Sequence, residues 1–251
     1  MDKNIAQLKT QLEDLHLTYV VENFEAMAKQ AAGAGTPHLE YLQCLIGGEA
    51  ARRFENLVGR RVRQARMPFI KTLDQFRWSF PNKIDRTLVQ TLHRLEFIRD
   101  RSNVLFVGPV GVGKTHLMLS LANTACAAGY SVLFTTAANI VNTLTAAQIA
   151  GHLPRELRKF AAPQLLCIDE LGFVPLDKTG ADLFFQVISG RYERGAIALT
   201  TNRAYKEWAI TFNNDSVFTS ALLDRLLHHS HTVYIEGPSG RDPKHRRALE
   251  T

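Results

Sequence analysis

Cysteine is scarce in this chain: its three, Cys44, Cys126 and Cys167, lie far apart in apolar stretches that read as helix or strand. Such spacing does not describe a disulfide framework, and it fits a reducing cytoplasm with the thiols packed as core. Long apolar runs are missing as well. None approaches the roughly 18 residues that a membrane-crossing helix needs, and the stretch after Met1 is polar and amphipathic where a signal peptide would carry an apolar core. Neither a membrane partner nor secretory export is expected. Internal repeats and low-complexity segments are absent. Acid is nearly absent from one region: between Arg52 and Lys71, Glu55 alone stands against Arg52, Arg53, Arg60, Arg61, Arg63, Arg66 and Lys71. The whole chain carries +6, so everything outside that region sums to about zero. Charge gathered in this way points to a polyanionic partner.

What is present is an ordinary globular composition, 45% hydrophobic and 22% charged over 251 residues. That length suits a domain of about 150 to 200 residues with a smaller appendage. The most informative stretch is Gly108-Pro109-Val110-Gly111-Val112-Gly113-Lys114-Thr115, which fits G-x-x-x-x-G-K-[ST], the phosphate-binding loop of nucleoside-triphosphatases. Val104–Val107 before it reads as a strand and residues 116–126 after it as a helix, which is the context the motif requires. Glycines in the loop let unhindered N–H groups approach phosphate oxygens, and the helix dipole favours the same anion. Lys114 would reach the β- and γ-phosphates, and Thr115 would offer its hydroxyl to Mg²⁺. ATP or GTP is the expected ligand.

Apolar residues at three- and four-residue steps from Ile5 to Met27 predict one or two helices ending near Gly33-Ala34-Gly35. Thr36 as N-cap and Pro37 at the first helical position open another, with Leu39, Leu42, Leu45 and Ile46 as its buried face. Continued to Arg66, that helix would gather Arg52, Arg53, Arg60, Arg63 and Arg66 within an arc of about 140°, opposite Phe54, Leu57, Val58, Val62 and Ala65. Gly47-Gly48 and Gly59 weigh against such continuity. A solvated face normally mixes signs, so this one reads as a phosphate contact without sequence preference. The expected layout is a helical N-terminal domain over residues 1–67, a linker over 68–82, and a nucleotide-binding domain over 83–251. The linker wraps onto that domain through Phe69, Phe76, Trp78 and Phe80, and a helix follows from Ile84 to Ile98. Trp78 and its neighbours could stack on adenine, although packing on the domain surface is at least as good a reading. Five apolar strands, 104–107, 131–135, 165–168, 196–200 and 232–235, alternate with helices, so the fold class is α/β with a five-stranded parallel sheet covered on both faces.

Further candidates lie at strand ends. Leu165-Leu166-Cys167-Ile168 runs into Asp169-Glu170, placed 55 residues after Lys114. An acidic pair there is commonly a helix cap, but behind a phosphate-binding loop Asp169 reads as the Mg²⁺ ligand and Glu170 as the group that polarises the attacking water. Asn202, ending the 196–200 strand, could orient that water or simply form a turn. Arg225 could be a helix terminus or a finger reaching a neighbour's γ-phosphate. His228, His229 and His231 suggest no metal, since adjacent histidines on a helix diverge and no cysteine or acid stands at ligand spacing.

These elements, in this order, resemble the AAA+ ATPases and in detail the IstB-like transposition helper ATPases, kin of DnaC-type helicase loaders. The resemblance rests on the loop through His116-Leu117, on Gly129-Tyr130-Ser131-Val132-Leu133-Phe134-Thr135-Thr136 and on Ile168-Asp169-Glu170-Leu171-Gly172. Arg191-Tyr192-Glu193-Arg194-Gly195, Thr200-Thr201-Asn202-Arg203 and Leu222-Leu223-Asp224-Arg225-Leu226-Leu227-His228-His229 complete it. It implies nucleotide contacts from residues 108–116, a sensor role for Asn202, and a finger role in trans for Arg225. It also implies a sheet with the Asn202 strand between the loop strand and the Asp169 strand. Implied partners are double-stranded DNA, a transposase and further copies of the chain. Near the C-terminus the family shows Gly-x-Ser-Tyr-Arg, whereas here Gly237-Pro238-Ser239-Gly240-Arg241 leaves Arg241 a weak second sensor, and the remaining length leaves little room for a helical lid. A helicase loader, a small-molecule kinase and an ATP-held switch are the alternatives. The Arg-Tyr-Glu-Arg and Leu-His-His runs favour transposition over loading, and Glu170, Asn202 and Arg225 together disfavour the kinase. The intact acidic pair disfavours a switch.

Overall fold

The computed structural model describes residues 2–79, 81 and 83–240. The chain divides into two compact units, Met1–Arg60 and Arg61–Thr251. The first is built from α1 (Asp2–Asp14), α2 (Thr18–Ala34) and most of α3 (His38–Gln64). Its core is small: Val20, Phe24 and Leu45, with Leu12, Leu17, Met27 and Tyr41 packed around them. α3 starts one residue later than its sequence suggests, because the Pro37 carbonyl accepts the first bond, from Tyr41, while the Thr36 N–H turns back to Ala31. The expected buried face of α3 needs correcting too. Leu39, Leu42 and Ile46 are 77%, 50% and 48% exposed, and Leu45 alone of the four is buried.

What α3 does bury is set by Gly48 and Glu49. A Cβ at Gly48 would stand 2.1 Å from the Tyr19 ring, so glycine lets α2 and α3 close, against a helix-propensity cost of about 1 kcal/mol. Glu49 is buried and accepts hydrogen bonds from the backbone N–H groups of Tyr19 (2.8 Å) and Val20 (3.3 Å) and from Arg53 Nε (2.8 Å). It supplies the first turn of α2 with the oxygen that Leu17, at the N-cap, lacks.

The second unit continues through β1 (Lys83–Ile84), α4 (Arg86–Leu92), α5 (Glu96–Arg99), β2 (Asn103–Val107), α6 (Lys114–Ala127) and β3 (Val132–Thr136). Then come α7 (Ala137–Ile149), α8 (Leu153–Ala161), β4 (Leu165–Leu171), α9 (Lys178–Arg191), β5 (Ala196–Thr201), α10 (Trp208–Thr211), α11 (Ser216–Leu227) and β6 (Ser230–Glu236). The sheet order is β1-β6-β2-β5-β4-β3. Its last five strands are the parallel set that the sequence predicts, in the order the family resemblance implies. The sixth strand is an addition: Ile84 pairs antiparallel with Ile235 and so opens no helix. The single helix expected up to Ile98 is two, because Asp85 caps α4 at Leu88 N–H (2.8 Å) and Leu95 takes a left-handed φ of 65°.

Both faces of the sheet are covered, which is why its central strands read as unbroken apolar runs. Phe106, Cys167 and Ala198 pack with Leu117, Met118 and Leu121 of α6. Leu105, Ile168 and Leu199 face Ile140 of α7 and Phe184 of α9. At the amino-terminal edge the buried Arg191 guanidinium donates to the carbonyls of Phe160, Ala161, Pro163, Gln164 and Ala196. It joins the ends of α8 and α9 to the start of β5. Burial lowers its pKa to about 10, so it stays charged at neutral pH.

Candidate functional site

β5 lies between β2 and β4, and this brings the carboxyl ends of three strands together: Phe106 is in register with Thr200, and Ile168 with Leu199. The chain leaves β2 at Val107, turns through 108–113 and enters α6 at Lys114. Gly113 has φ +99°, and a Cβ there would lie 2.7 Å from the Phe76 ring, so backbone and packing both demand glycine. Phe76 is buried beneath the loop, edge-on to Trp78 (5.0 Å) and to His116 (5.4 Å). The His116 Nε2 also meets the Thr72 carbonyl at 3.0 Å. Burial chiefly holds its pKa below the ordinary histidine value. The imidazole of His116 is thus engaged by residues 72–76. Of the other linker aromatics, Trp78 packs against the core beneath the Arg86 guanidinium (4.9 Å), Phe69 is exposed, and Phe80 lies outside the described residues.

Segment 237–240 closes on the loop. Gly240 N–H donates to the Gly111 carbonyl at 3.2 Å, and a Cβ at Gly111 would stand 2.2 Å from Ser239 Oγ. Arg241 lies outside the described residues. Lys114 Nζ donates to the carbonyls of Gly108 (2.7 Å) and Pro109 (2.6 Å), so its ammonium sits over the loop.

Thr115 Oγ1 donates to Asp169 Oδ1 at 3.0 Å, and the same carboxylate oxygen accepts from Thr200 Oγ1. Asp169 is 5% exposed. Directly after it β4 bulges: its register against β5 shifts between Ile168 and Leu171, and Glu170 takes φ +62°. The Glu170 N–H is held by Thr200 Oγ1 at 3.0 Å. The bulge leaves Asp169 buried and Glu170 exposed at the strand end. Lys114, Thr115, Asp169 and Glu170 are therefore brought together, as their spacing suggests. Thr200, which joins the two acids, belongs to no sequence motif of catalysis; its one signal is a polar residue at the end of a buried strand beside the loop strand. Oxygen donors from Thr115 and Asp169, already adjacent, fit a hard cation such as Mg²⁺.

Asn202 is exposed and borders a cavity of about 340 Å³ with Val107, Gly108 and Pro109. The Thr201 carbonyl accepts the Gly108 N–H (3.2 Å), tying this strand end to the loop. Arg225 lies elsewhere. Its Nη1 donates to the Ala221 carbonyl at 3.1 Å and its guanidinium covers the Phe185 ring at 4.6 Å. α11 ends just before β6, whose Ser230 is in register with Asn103 at the start of β2. Arg225 thus sits toward the amino-terminal end of the sheet, and the loop leaves the other end. Of the basic residues, Arg52 pairs with Glu22, and Arg53 with Glu49 and the His16 carbonyl. Arg60, Arg63 and Arg66 are exposed on or just after α3.

A glycine loop between β2 and α6, backed by an Asp-Glu strand end across an inserted β5, defines a P-loop protein of the AAA+ class. The crystal structure of DnaI has this fold, with a TM-score of 0.57 at 18% identity over 66% of this chain and 90% of that one. So does the crystal structure of the DnaC helicase loader, at 0.53, 20% identity, and 66% and 96% coverage. A replication initiator DnaA bound to AMPPCP and single-stranded DNA aligns at 0.53 and 21% identity, over 66% of this chain and 50% of that chain. Within that class the chain belongs to the family described as IstB-like ATP binding protein, whose profile matches residues 10–248. It is 38% identical over 241 residues to the ATP-binding protein of insertion sequence IS21 from Pseudomonas aeruginosa, covering 96% of this chain and 89% of the relative. It is also 38% identical over 227 residues to that of insertion sequence IS5376 from Geobacillus stearothermophilus, covering 90% of each. No described helix is long and apolar enough to cross a membrane.

Proposed function

We propose that this ATP-binding protein is a Mg²⁺-dependent ATPase that oligomerises on duplex DNA and regulates a transposase, coupling hydrolysis to target selection or activation of strand transfer. The cluster of Lys114, Thr115, Asp169, Thr200 and Glu170 at one sheet end is the observation that carries the hydrolytic reading. Lys114 would give up its loop carbonyls for the β- and γ-phosphates, with loop N–H groups holding the remaining oxygens. Thr115 and Asp169 would hold Mg²⁺, which when bound neutralises charge between the terminal phosphates. Glu170, aimed outward by the bulge, would accept a proton from the attacking water, and Asn202 would fix that water's position. Arg225, far from its own loop, would complete the site of an adjacent subunit. Arg60, Arg63 and Arg66, at the end of α3, would meet backbone phosphates. The helical unit and the linker remain a DNA- or partner-binding domain and a brace for the loop. Membership among insertion-sequence relatives supports the transposition branch; the DnaC and DnaI folds make helicase loading the second reading.

Phosphate release from ATP with and without duplex DNA tests this. Wild type should be stimulated by DNA, with the stimulation fading as salt rises. Glu170→Gln should bind ATP but release phosphate about 100-fold more slowly or worse. Arg60→Glu with Arg63→Glu should weaken DNA binding and leave ATP binding intact. No release under any condition would sink the ATPase reading, and DNA-independent transfer to a metabolite would support a kinase instead.

A further inference from the structure

At the sheet end away from the loop, two turns converge. The turn after α9 carries Tyr192 and Glu193, and the end of α11 carries His228 and His229. One nitrogen from each histidine and one Glu193 carboxylate oxygen all lie within 4.8 Å of one another. His229 Nε2 is 3.8 Å from Glu193 Oε1, and the two imidazole rings are 4.1 Å apart. Adjacent histidines diverge only on a continuing helix. α11 instead stops at Leu227, and the fold brings in an acid from 35 residues upstream of His228.

We propose that Glu193, His228 and His229 form a binding site for a late first-row divalent cation, Zn²⁺ above all, separate from the ATP-linked Mg²⁺. The donor set is the first reason: two imidazoles and a carboxylate select Zn²⁺, Co²⁺ or Ni²⁺ over Mg²⁺ and Ca²⁺, which prefer all-oxygen shells. Geometry is the second. Bonds of roughly 2.0–2.1 Å place tetrahedral ligand atoms about 3.4 Å apart, so exposed side chains need close by only about 1 Å through small rotamer changes. The third is support around the ligands. The Tyr192 hydroxyl is 2.7 Å from His228 Nδ1 and orients that imidazole as outer-shell partners of metal ligands do. Arg101 directs its Nη1 to the Glu193 backbone carbonyl (2.9 Å). A cavity of about 440 Å³ bounded by Asp100, Arg101, Glu193 and His229 leaves room for completing waters. Occupancy fastens the end of α11, one turn beyond Arg225, to the turn after α9.

Tag-free protein in a Cys44→Ser background, which removes the exposed thiol, is titrated with Zn²⁺ in millimolar Mg²⁺ by calorimetry, and with Co²⁺ by visible absorption. One equivalent of Zn²⁺ should bind, with four- or five-coordinate Co²⁺ bands. His229→Ala and the near-isosteric Glu193→Gln should each weaken binding at least about tenfold, at an unchanged circular-dichroism spectrum. Absence of saturable binding in the folded parent would overturn the site, and so would binding that survives both substitutions. If His229→Ala unfolds, Glu193→Gln alone decides.

Discussion

Thr200 stands where the two acids of β4 meet, donating to Asp169 and accepting from the Glu170 N–H. Valine in its place keeps the shape, removes both bonds, and leaves the Glu170 N–H without this acceptor and Asp169 Oδ1 with the Thr115 hydroxyl alone of its two, at about 1–3 kcal/mol. Thr200→Val should therefore lower the rate of ATP hydrolysis roughly 10- to 100-fold, while a nucleotide-binding assay shows a much smaller change; an unaltered rate would remove Thr200 from the site. The loop residues and the acidic pair were legible because their chemistry requires fixed types at fixed spacing. Thr200 was not, since it acts through a strand register that links distant parts of the chain; Phe76 was legible as a linker aromatic packed on the domain, but not its place against Gly113. The reach of Glu193 to His228 and His229 was hidden for the same reason.

Among the elements, the buried strands were the most legible: residues covered on both faces leave apolar runs that need no partner to be recognised. β1 was not, because two residues carry no period and Ile84 fitted a helical one equally well. Periodicity also could not say which apolar stripe of α3 finds a neighbour. Gly48 and Glu49 decide that, by close approach to Tyr19 and by capping α2. Desolvation raises the Glu49 pKa, but the bonds from Arg53, Tyr19 and Val20 together outweigh it and leave it below the ordinary 4.5. The unfolded chain then binds the proton more readily, so the stabilisation is complete above pH 4.5 and is lost as pH falls through the lower folded value. Glu49→Gln should cost the helical unit about 1.5–3 kcal/mol at neutral pH. It should also flatten the acid limb of its helicity, read by circular dichroism; an identical acid limb in the variant would contradict the capping role.

Considered as a molecule, the chain carries a nearly complete nucleotide site at one end of its sheet and its candidate finger arginine toward the other. On the proposed reading that separation calls for a site assembled from two copies, and Arg60, Arg63 and Arg66 at the end of α3 would supply phosphate contacts favouring assembly on DNA. ATP on this reading is an assembly signal whose hydrolysis loosens the subunit contact. On that reading Lys114→Ala would remove a subunit's own phosphate grip and Arg225→Ala would remove what it lends to a neighbour. The most direct test is to mix the two variants, each inactive alone, with duplex DNA and measure phosphate release. Recovery of a substantial fraction of wild-type activity in the mixture is the result predicted, since mixed neighbours rebuild one intact site. A mixture as inactive as its components would contradict the shared site.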